Sequence, residues 1–359
     1  QSGRGAKLLI YRTDMGAATR RIKALEAILE NEKKERAIRI ANELIVKADG
    51  ETDIEALARR LGGQIIGSVD GSDIHRLRFE DEDATEKALR EINSTEGVDA
   101  EANYAVPPPP RPEGLPSGSA LPFTLNPSPS GDGSELVIGL IDTAVQAEGS
   151  RIEKFLLPVQ STQGEVVTPT DQPTHGTSMA DTILRGISMA LPEGNETSSV
   201  RILPVDVYGA NEISSTFDVA HGISMAIENG AHVINLSLGG TGDTEYLHSL
   251  IKNASNNGVV FIASAGNEPV TYPTYPAAYP EVLAVTAGDR NGELAPYANR
   301  GGFVDVIAPG GNIVSYAGSS FFISGTSPAS ALTSGMVIGV AEGNGSSVQA
   351  GIDHMQKRF

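Results

Sequence analysis

Four side chains in a chain of 359 residues carry the chemistry of acyl transfer, and each stands where an apolar run ends or a helical one begins. Asp142 follows the strand-like run 136–141, and Asn267 lies in the small-residue turn Ser264-Ala265-Gly266-Asn267-Glu268 after the run 259–263. His175 and Ser327 open helical stretches, in His175-Gly176-Thr177 and Gly325-Thr326-Ser327. Singly, an acid can be a strand stop, an Asn a turn residue, and a Ser or His an ordinary first-turn residue. Together they supply a hydroxyl nucleophile, an imidazole base, a carboxylate to hold the base's tautomer, and an amide donor for a developing oxyanion. With no Cys in the sequence, thiol nucleophiles, disulfides and thiolate metal sites are excluded. Covalent catalysis then falls to Ser, Thr, Lys or a carboxylate.

The elements that must position these residues form two dissimilar halves. From residue 136 onward, nearly continuous apolar runs at 136–141, 200–205, 232–236, 259–263, 282–286 and 303–307 predict strands covered on both faces. Helical spacing at 175–187, 215–229, 245–256 and 326–341 alternates with them, which predicts an α/β, doubly wound, mostly parallel sheet. The ligand site of such a sheet lies beyond the carboxyl ends of its strands, where all four residues fall. Before residue 107, strands at 43–48, 64–69, 74–79 and 98–106 and helices at 52–61 and 84–92 give the order β-α-β-β-α-β. That order is the ferredoxin-like α+β unit, which by itself assigns no function. Ile22, Leu25 and Leu29 predict a further amphipathic helix ahead of it. Nine of the 21 prolines fall between Pro107 and Glu135, marking an extended linker. The predicted division is a helical extension at 1–37, a small domain at 38–106, a Pro-rich linker at 107–135 and an α/β domain at 136–359.

Charge follows the same division. The formal net charge of −18 splits into 17 basic against 21 acidic residues up to 106 and 10 against 24 beyond. So acidic a chain, with no Lys/Arg-rich run, argues against a nucleic-acid or anionic-membrane partner. No apolar stretch approaches the roughly 18 residues that span a bilayer. The first residue is Gln1 and not Met, as expected if a leader has been removed.

Five motifs, in order over residues 136–342, resemble those of subtilisin-like serine proteases. Val137-Ile138-Gly139-Leu140-Ile141-Asp142-Thr143 is similar to their aspartate motif and His175-Gly176-Thr177-Ser178-Met179-Ala180 to their histidine motif. Asn235-Leu236-Ser237-Leu238-Gly239-Gly240 resembles the substrate-binding strand, Ser264-Ala265-Gly266-Asn267 the oxyanion turn, and Gly325-Thr326-Ser327 the nucleophile motif. The order Asp, His, Ser is that of subtilisin and not of chymotrypsin or the α/β-hydrolases. The resemblance implies a serine endopeptidase in which Ser327 attacks, His175 moves the proton, Asp142 orients His175, and the Asn267 amide with the Ser327 N–H holds the oxyanion. It further implies that Ser237, Leu238 and Gly239 present an exposed edge to an extended substrate. Gly266 and Gly239 would leave room for a large P1 group, with Glu268 at the pocket entrance. Protein or peptide substrates follow, and no cofactor is required. Structural calcium is compatible with the family, although no Asp/Asn-rich loop with ligand spacing occurs.

Residues 43–106 resemble the propeptide that precedes many subtilisins, on the strand Glu43–Ala48, Leu61-Gly62-Gly63 and the closing segment Val98–Tyr104. The resemblance implies an intramolecular inhibitor, a latent precursor processed between Tyr104 and Glu135, and an exported, extracellular or periplasmic protein. Three positions depart from the pattern. Ala144 stands where Gly is usual and Pro328 follows Ser327 directly, while Gly176-Thr177-Ser178-Met179-Ala180 spells the nucleophile motif better than the true candidate does. Ser178 lies three residues from His175 on one helix, which predicts a helix-surface residue. His75, His221, His232, His248 and His354 are read as structural. The alternative function is a binding scaffold on the same fold with impaired catalysis.

Overall fold

The computed structural model describes residues 9–10, 37–116, 123–129, 135–166, 168–169, 171–211, 213–289 and 291–358. The helix expected around Ile22–Leu29 lies outside them. In the N-terminal unit, β1 (Arg39–Lys47), α1 (Ile54–Leu61), β2 (Gln64–Ser68), β3 (Ile74–Arg78), α2 (Glu82–Ile92) and β4 (Asp99–Val106) reproduce the expected order. Its antiparallel sheet runs β4-β1-β3-β2. Asp53 and Asp81 cap the two helices, accepting from the N–H groups of Ala56 and Ala84. Leu44, Val46, Leu77, Ile92 and their neighbours bury one sheet face beneath α1 and α2.

The segment after β4 departs from its linker reading. Glu113–Leu115 forms β5, and Asn126–Pro127 pairs with Thr197–Ser198. The Phe123 ring lies under the guanidinium groups of Arg151 and Arg185. Proline and glycine composition predicts backbone that forms no regular element of its own, and it cannot foresee pairing supplied by distant strands.

The larger unit contains β6 (Val137–Asp142), α3 (His175–Ala190), β7 (Arg201–Asp206), α4 (Thr216–Glu228), β8 (Val233–Leu236) and α5 (Glu245–Asn256). Then come β9 (Val260–Ser264), β10 (Val282–Gly288), β11 (Val306–Pro309), β12 (Gly311–Tyr316), β13 (Ser319–Ser324), α6 (Thr326–Asn344) and α7 (Val348–Arg358). Seven strands pair in parallel in the order β11-β10-β9-β8-β6-β7-(Gln160–Ser161), with Leu9–Ile10 added antiparallel outside β11. Every residue of β6, β8 and β9 is buried, as a sheet covered on both faces requires. The hairpin β12–β13, with Glu113–Leu115 as its third strand, and the helix α7 were not foreseen.

Helix α6 is buried along nearly its whole length and packs on α3 through small residues. A Cβ on Gly335 would come within 2.0 Å of the Ile183 carbonyl oxygen, so only glycine permits this approach. The same packing corrects the reading of Ser178. It is fully buried, not surface, and its hydroxyl donates to the Thr174 carbonyl at 3.0 Å.

Candidate functional site

Asp142 ends β6 with its side chain 1% exposed, and His175 is the first residue of α3. Thr174 caps that helix by accepting from the Thr177 N–H at 3.0 Å. The His175 Nδ1 lies 2.8 and 2.9 Å from the two Asp142 carboxylate oxygens. Asp142 Oδ1 also accepts from the Thr143 N–H at 2.7 Å, and the Thr143 hydroxyl oxygen accepts from the Gly176 N–H at 2.9 Å. One threonine thus ties the end of the strand to the start of the helix. The His175 Nε2 is buried with no hydrogen-bond partner.

Ser327 is the second residue of α6, and its hydroxyl donates to the Ser237 carbonyl at 3.2 Å. Four small polar side chains anchor that helix start to β8. The Asn235 amide donates to Ser330 and Ser334, and the Ser237 hydroxyl donates to Asn235 Oδ1 at 2.9 Å. Asn267 turns its oxygen back to accept from the Thr326 N–H at 2.8 Å, which leaves its NH2 end directed elsewhere. The turn that carries it rests on Asn299, which donates to the Ala265 carbonyl at 2.8 Å and accepts from the Glu268 N–H at 2.8 Å. Gly266 has φ +103°, and a Cβ there would meet the Asn299 amide at 2.4 Å, so glycine is required twice over.

Ser237, Leu238, Gly239, Gly266, Asn267, Glu268 and Ser327 share one cleft of about 590 Å³. The Ser237 and Leu238 side chains are buried beneath that stretch of main chain. Leu238 belongs to the core, and Ala105 and Pro107–Pro110 also line the cleft. Tyr272 and Thr326, which sequence reasoning did not single out, also line it, and the Tyr272 hydroxyl donates to Glu268 at 3.2 Å. Asp206 was missed as well. It is in register beside Asp142, fully buried, and burial pushes its carboxyl above the usual range. His75, His232 and His248 bond locally to Ser68, the Val137 N–H and Glu281, away from the cleft.

The N-terminal unit reaches the cleft across a polar interface. Ala105 and Val106 pair antiparallel with Ser215 and Ser214, extending the small sheet onto the larger unit. The Glu101 carboxylate accepts from the Glu245 and Tyr246 N–H groups at 2.8 and 3.0 Å, at the start of α5. Asn103 Oδ1 accepts from the Phe217 N–H at the start of α4, and Arg76 bonds Asp218 at 2.9 Å. Burial pushes the Glu101 carboxyl up to about 7; the two N–H donors oppose it and the charges of Glu245 and Asp243 assist it. Because the docked value lies above that of a free glutamate, docking takes up a proton. The interface is therefore tightest below about pH 4.5 and loosens as pH rises through 7, by on the order of 10²-fold in the docking constant. Amide protection at the first turn of α5, taken relative to the intrinsic exchange rate at each pH, should fall over that window and stay constant in Glu101→Gln. Protection that grows as pH rises would contradict this.

Comparison with known proteins follows the same division. Residues 133–354 match the model of the subtilase family, and residues 29–107 match the fervidolysin N-terminal prodomain. The chain belongs to the subtilase family. It is 34% identical over 201 residues to a thermophilic serine proteinase of Bacillus sp. (strain AK1), covering 55% of this chain and 50% of that one. Against thermitase of Thermoactinomyces vulgaris it is 32% identical over 228 residues, covering 62% and 81%. Several other relatives are matched over only about half their length. Fervidolysin from Fervidobacterium pennivorans, described as a keratinolytic enzyme, shares the fold at TM-score 0.65 and 19% identity, over 85% of this chain and 56% of that one.

Proposed function

We propose that the chain is the latent precursor of a serine endopeptidase in which Asp142, His175 and Ser327 form the catalytic triad. The observation that supports it most is the buried Asp142–His175 pair at 2.8 Å with His175 Nε2 left unpartnered, in a fold whose family is proteolytic. In the working enzyme, His175 Nε2 takes the Ser327 proton as Oγ attacks the scissile carbonyl, then passes it to the leaving amine. The carboxylate of Asp142 holds Nδ1–H and stabilises the imidazolium. The Asn267 NH2 and the Ser327 N–H, at an unpaired helix start, receive the oxyanion.

Peptides are bound extended along Ser237–Gly239 by main-chain hydrogen bonds, which suit any sequence. Gly266 and Gly239 admit a large apolar or basic P1 side chain, with Glu268 at the entrance. The chemistry calls for no cofactor, and any calcium would be structural. Among the described residues no three His, Asp or Glu side chains gather to hold a metal, and no helix is long and apolar enough to cross a membrane. Export from the cell fits the relatives. Labelling with a fluorophosphonate probe after removal of residues up to 116 is expected to modify Ser327, and library profiling to show large apolar or basic P1. An unlabelled Ser327 would favour a binding scaffold, and a strict acidic P1 preference would overturn the pocket assignment.

A further inference from the structure

We propose that Pro107–Pro110 is a cleavage-resistant occupant of the cleft, a polyproline ridge that keeps the precursor latent because the bonds it offers to Ser327 are imide bonds. This rests on the peptidase function above and adds to it the chemistry of the inhibitory segment.

Burial along the segment repeats every three residues. Val106 and Pro112 are buried and Pro109 is half-buried, while Pro107, Pro108, Pro110 and Arg111 are exposed. Three residues per turn is the period of a polyproline II helix; of its buried positions Pro109 lines the cleft, together with the exposed Pro107, Pro108 and Pro110. Both ends of the ridge are fastened to the larger unit. Upstream, Ala105 and Val106 pair with Ser215 and Ser214, and the Tyr208 hydroxyl donates to the Pro107 carbonyl at 2.9 Å. Downstream, Glu113, Gly114 and Leu115 pair with Phe322, Phe321 and Ser320 of β13. That strand runs directly into Gly325-Thr326-Ser327, so the ridge is held on either side of the nucleophile.

Every peptide bond from Val106–Pro107 to Pro109–Pro110 has a ring nitrogen on its leaving side. Attack would form the Ser327 Oγ–carbonyl bond, and collapse would break the C–N bond only as His175 delivers its proton to that nitrogen. In an imide the nitrogen carries the ring Cδ where an ordinary amide carries hydrogen, and the ring crowds the approach of the imidazolium. Collapse back to Oγ is not hindered in the same way. A second effect acts before attack. Prolines have no N–H to donate to the Ser237 carbonyl, and that carbonyl accepts instead from Ser327 Oγ at 3.2 Å. The nucleophile is thus bonded away from its base, whose Nε2 has no partner. Between residues 106 and 113 only Pro110–Arg111 and Pro112–Glu113 are ordinary amides.

The test compares the full chain with the chain carrying Pro107→Ala, Pro108→Ala, Pro109→Ala and Pro110→Ala, each also made with Ser327→Ala. Intact mass and the new N-terminus are followed with time. The native chain is expected to stay whole between 106 and 113. The fourfold variant is expected to cut itself there at least about 10²-fold faster, the lower end of what a general acid supplies. Ser327→Ala should abolish that cleavage. Comparable Ser327-dependent cleavage of the native chain in this segment would overturn the proline plug while leaving the peptidase standing. If neither chain cuts, fluorophosphonate labelling after removal of residues up to 116 decides. A labelled Ser327 shows a competent nucleophile that leaves the alanine segment uncut, and the plug is wrong. An unlabelled one sinks the peptidase function and the plug with it. The single Pro109→Ala chain, which changes only the half-buried ring, is scored by the same outcomes should the fourfold variant not fold.

Discussion

Replacing Ser327 by Ala, or His175 by Ala, is expected to lower kcat for peptide hydrolysis by about 10⁶, and replacing both is expected to cost no more than either alone. The magnitude is that of subtilisin itself, a member of this family, and is carried over from it. The non-additivity follows from this site. His175 has no task without a hydroxyl to deprotonate, and the Ser327 hydroxyl is a weak nucleophile without a base to take its proton. What survives in each variant is the oxyanion pocket, held in place by Thr326 and Asn299 independently of the two reacting groups. KM should move little, because the extended peptide is held by main chain that neither substitution touches. Ser178→Ala is the control: it removes a buried hydroxyl bonded to the Thr174 carbonyl, and should lower stability by about 1 kcal/mol with kcat within a few-fold. Steady-state kinetics on processed enzyme checks all four chains. Either single variant retaining more than a hundredth of kcat, or Ser178→Ala abolishing turnover, would show that the nucleophile is misassigned.

The residues proposed to react could be picked out in the sequence because their positions are set by rules with a period. Apolar runs mark buried strands, and the ends of such strands and the starts of the following helices are where a parallel sheet exposes polar groups. The residues that hold them were not legible. Asn299 supports the oxyanion turn from a loop whose sequence, Tyr297-Ala298-Asn299-Arg300, carries no periodic signal. Asp206 looks like an ordinary strand end until register sets it beside Asp142. Ser178 was misplaced for a related reason. A helix buried on one side shows an apolar stripe, but α3 meets α6 through glycines and small polar residues, so its buried face does not read as apolar. The hairpin β12–β13 and the strand Glu113–Leu115 were invisible because short strands rich in Gly and Ser acquire their partners only in the folded chain. The Pro-rich segment was read as an extended linker, and the pairing of Glu113–Leu115 with β13 departs from that reading. That it lies across the cleft is a property of the two surfaces it joins.

Asp142→Asn should cost about 10⁴ in kcat, the scale found when the same change is made in a chymotrypsin-type triad, while leaving the fold intact. The direction follows from which oxygen is already committed. Asp142 Oδ1 accepts from the Thr143 N–H at 2.7 Å and from the Thr143 hydroxyl at 3.2 Å, so the asparagine oxygen must occupy that position. The asparagine NH2 then replaces Oδ2, 2.9 Å from His175 Nδ1, and offers a donor in competition with the oxygen kept at 2.8 Å, which already accepts from Thr143. To receive that hydrogen, Nδ1 must be the unprotonated nitrogen, and the ring proton moves to Nε2. An imidazole protonated at Nε2 cannot accept the Ser327 proton, so the base is removed although every heavy atom keeps its place. Two signatures separate this from a general loss of structure: the thermal midpoint should fall by only a few degrees, and imidazole nitrogen NMR of the variant should report protonation at Nε2 in place of Nδ1. A variant with that tautomer and near-native turnover would show that Asp142 does not act through His175.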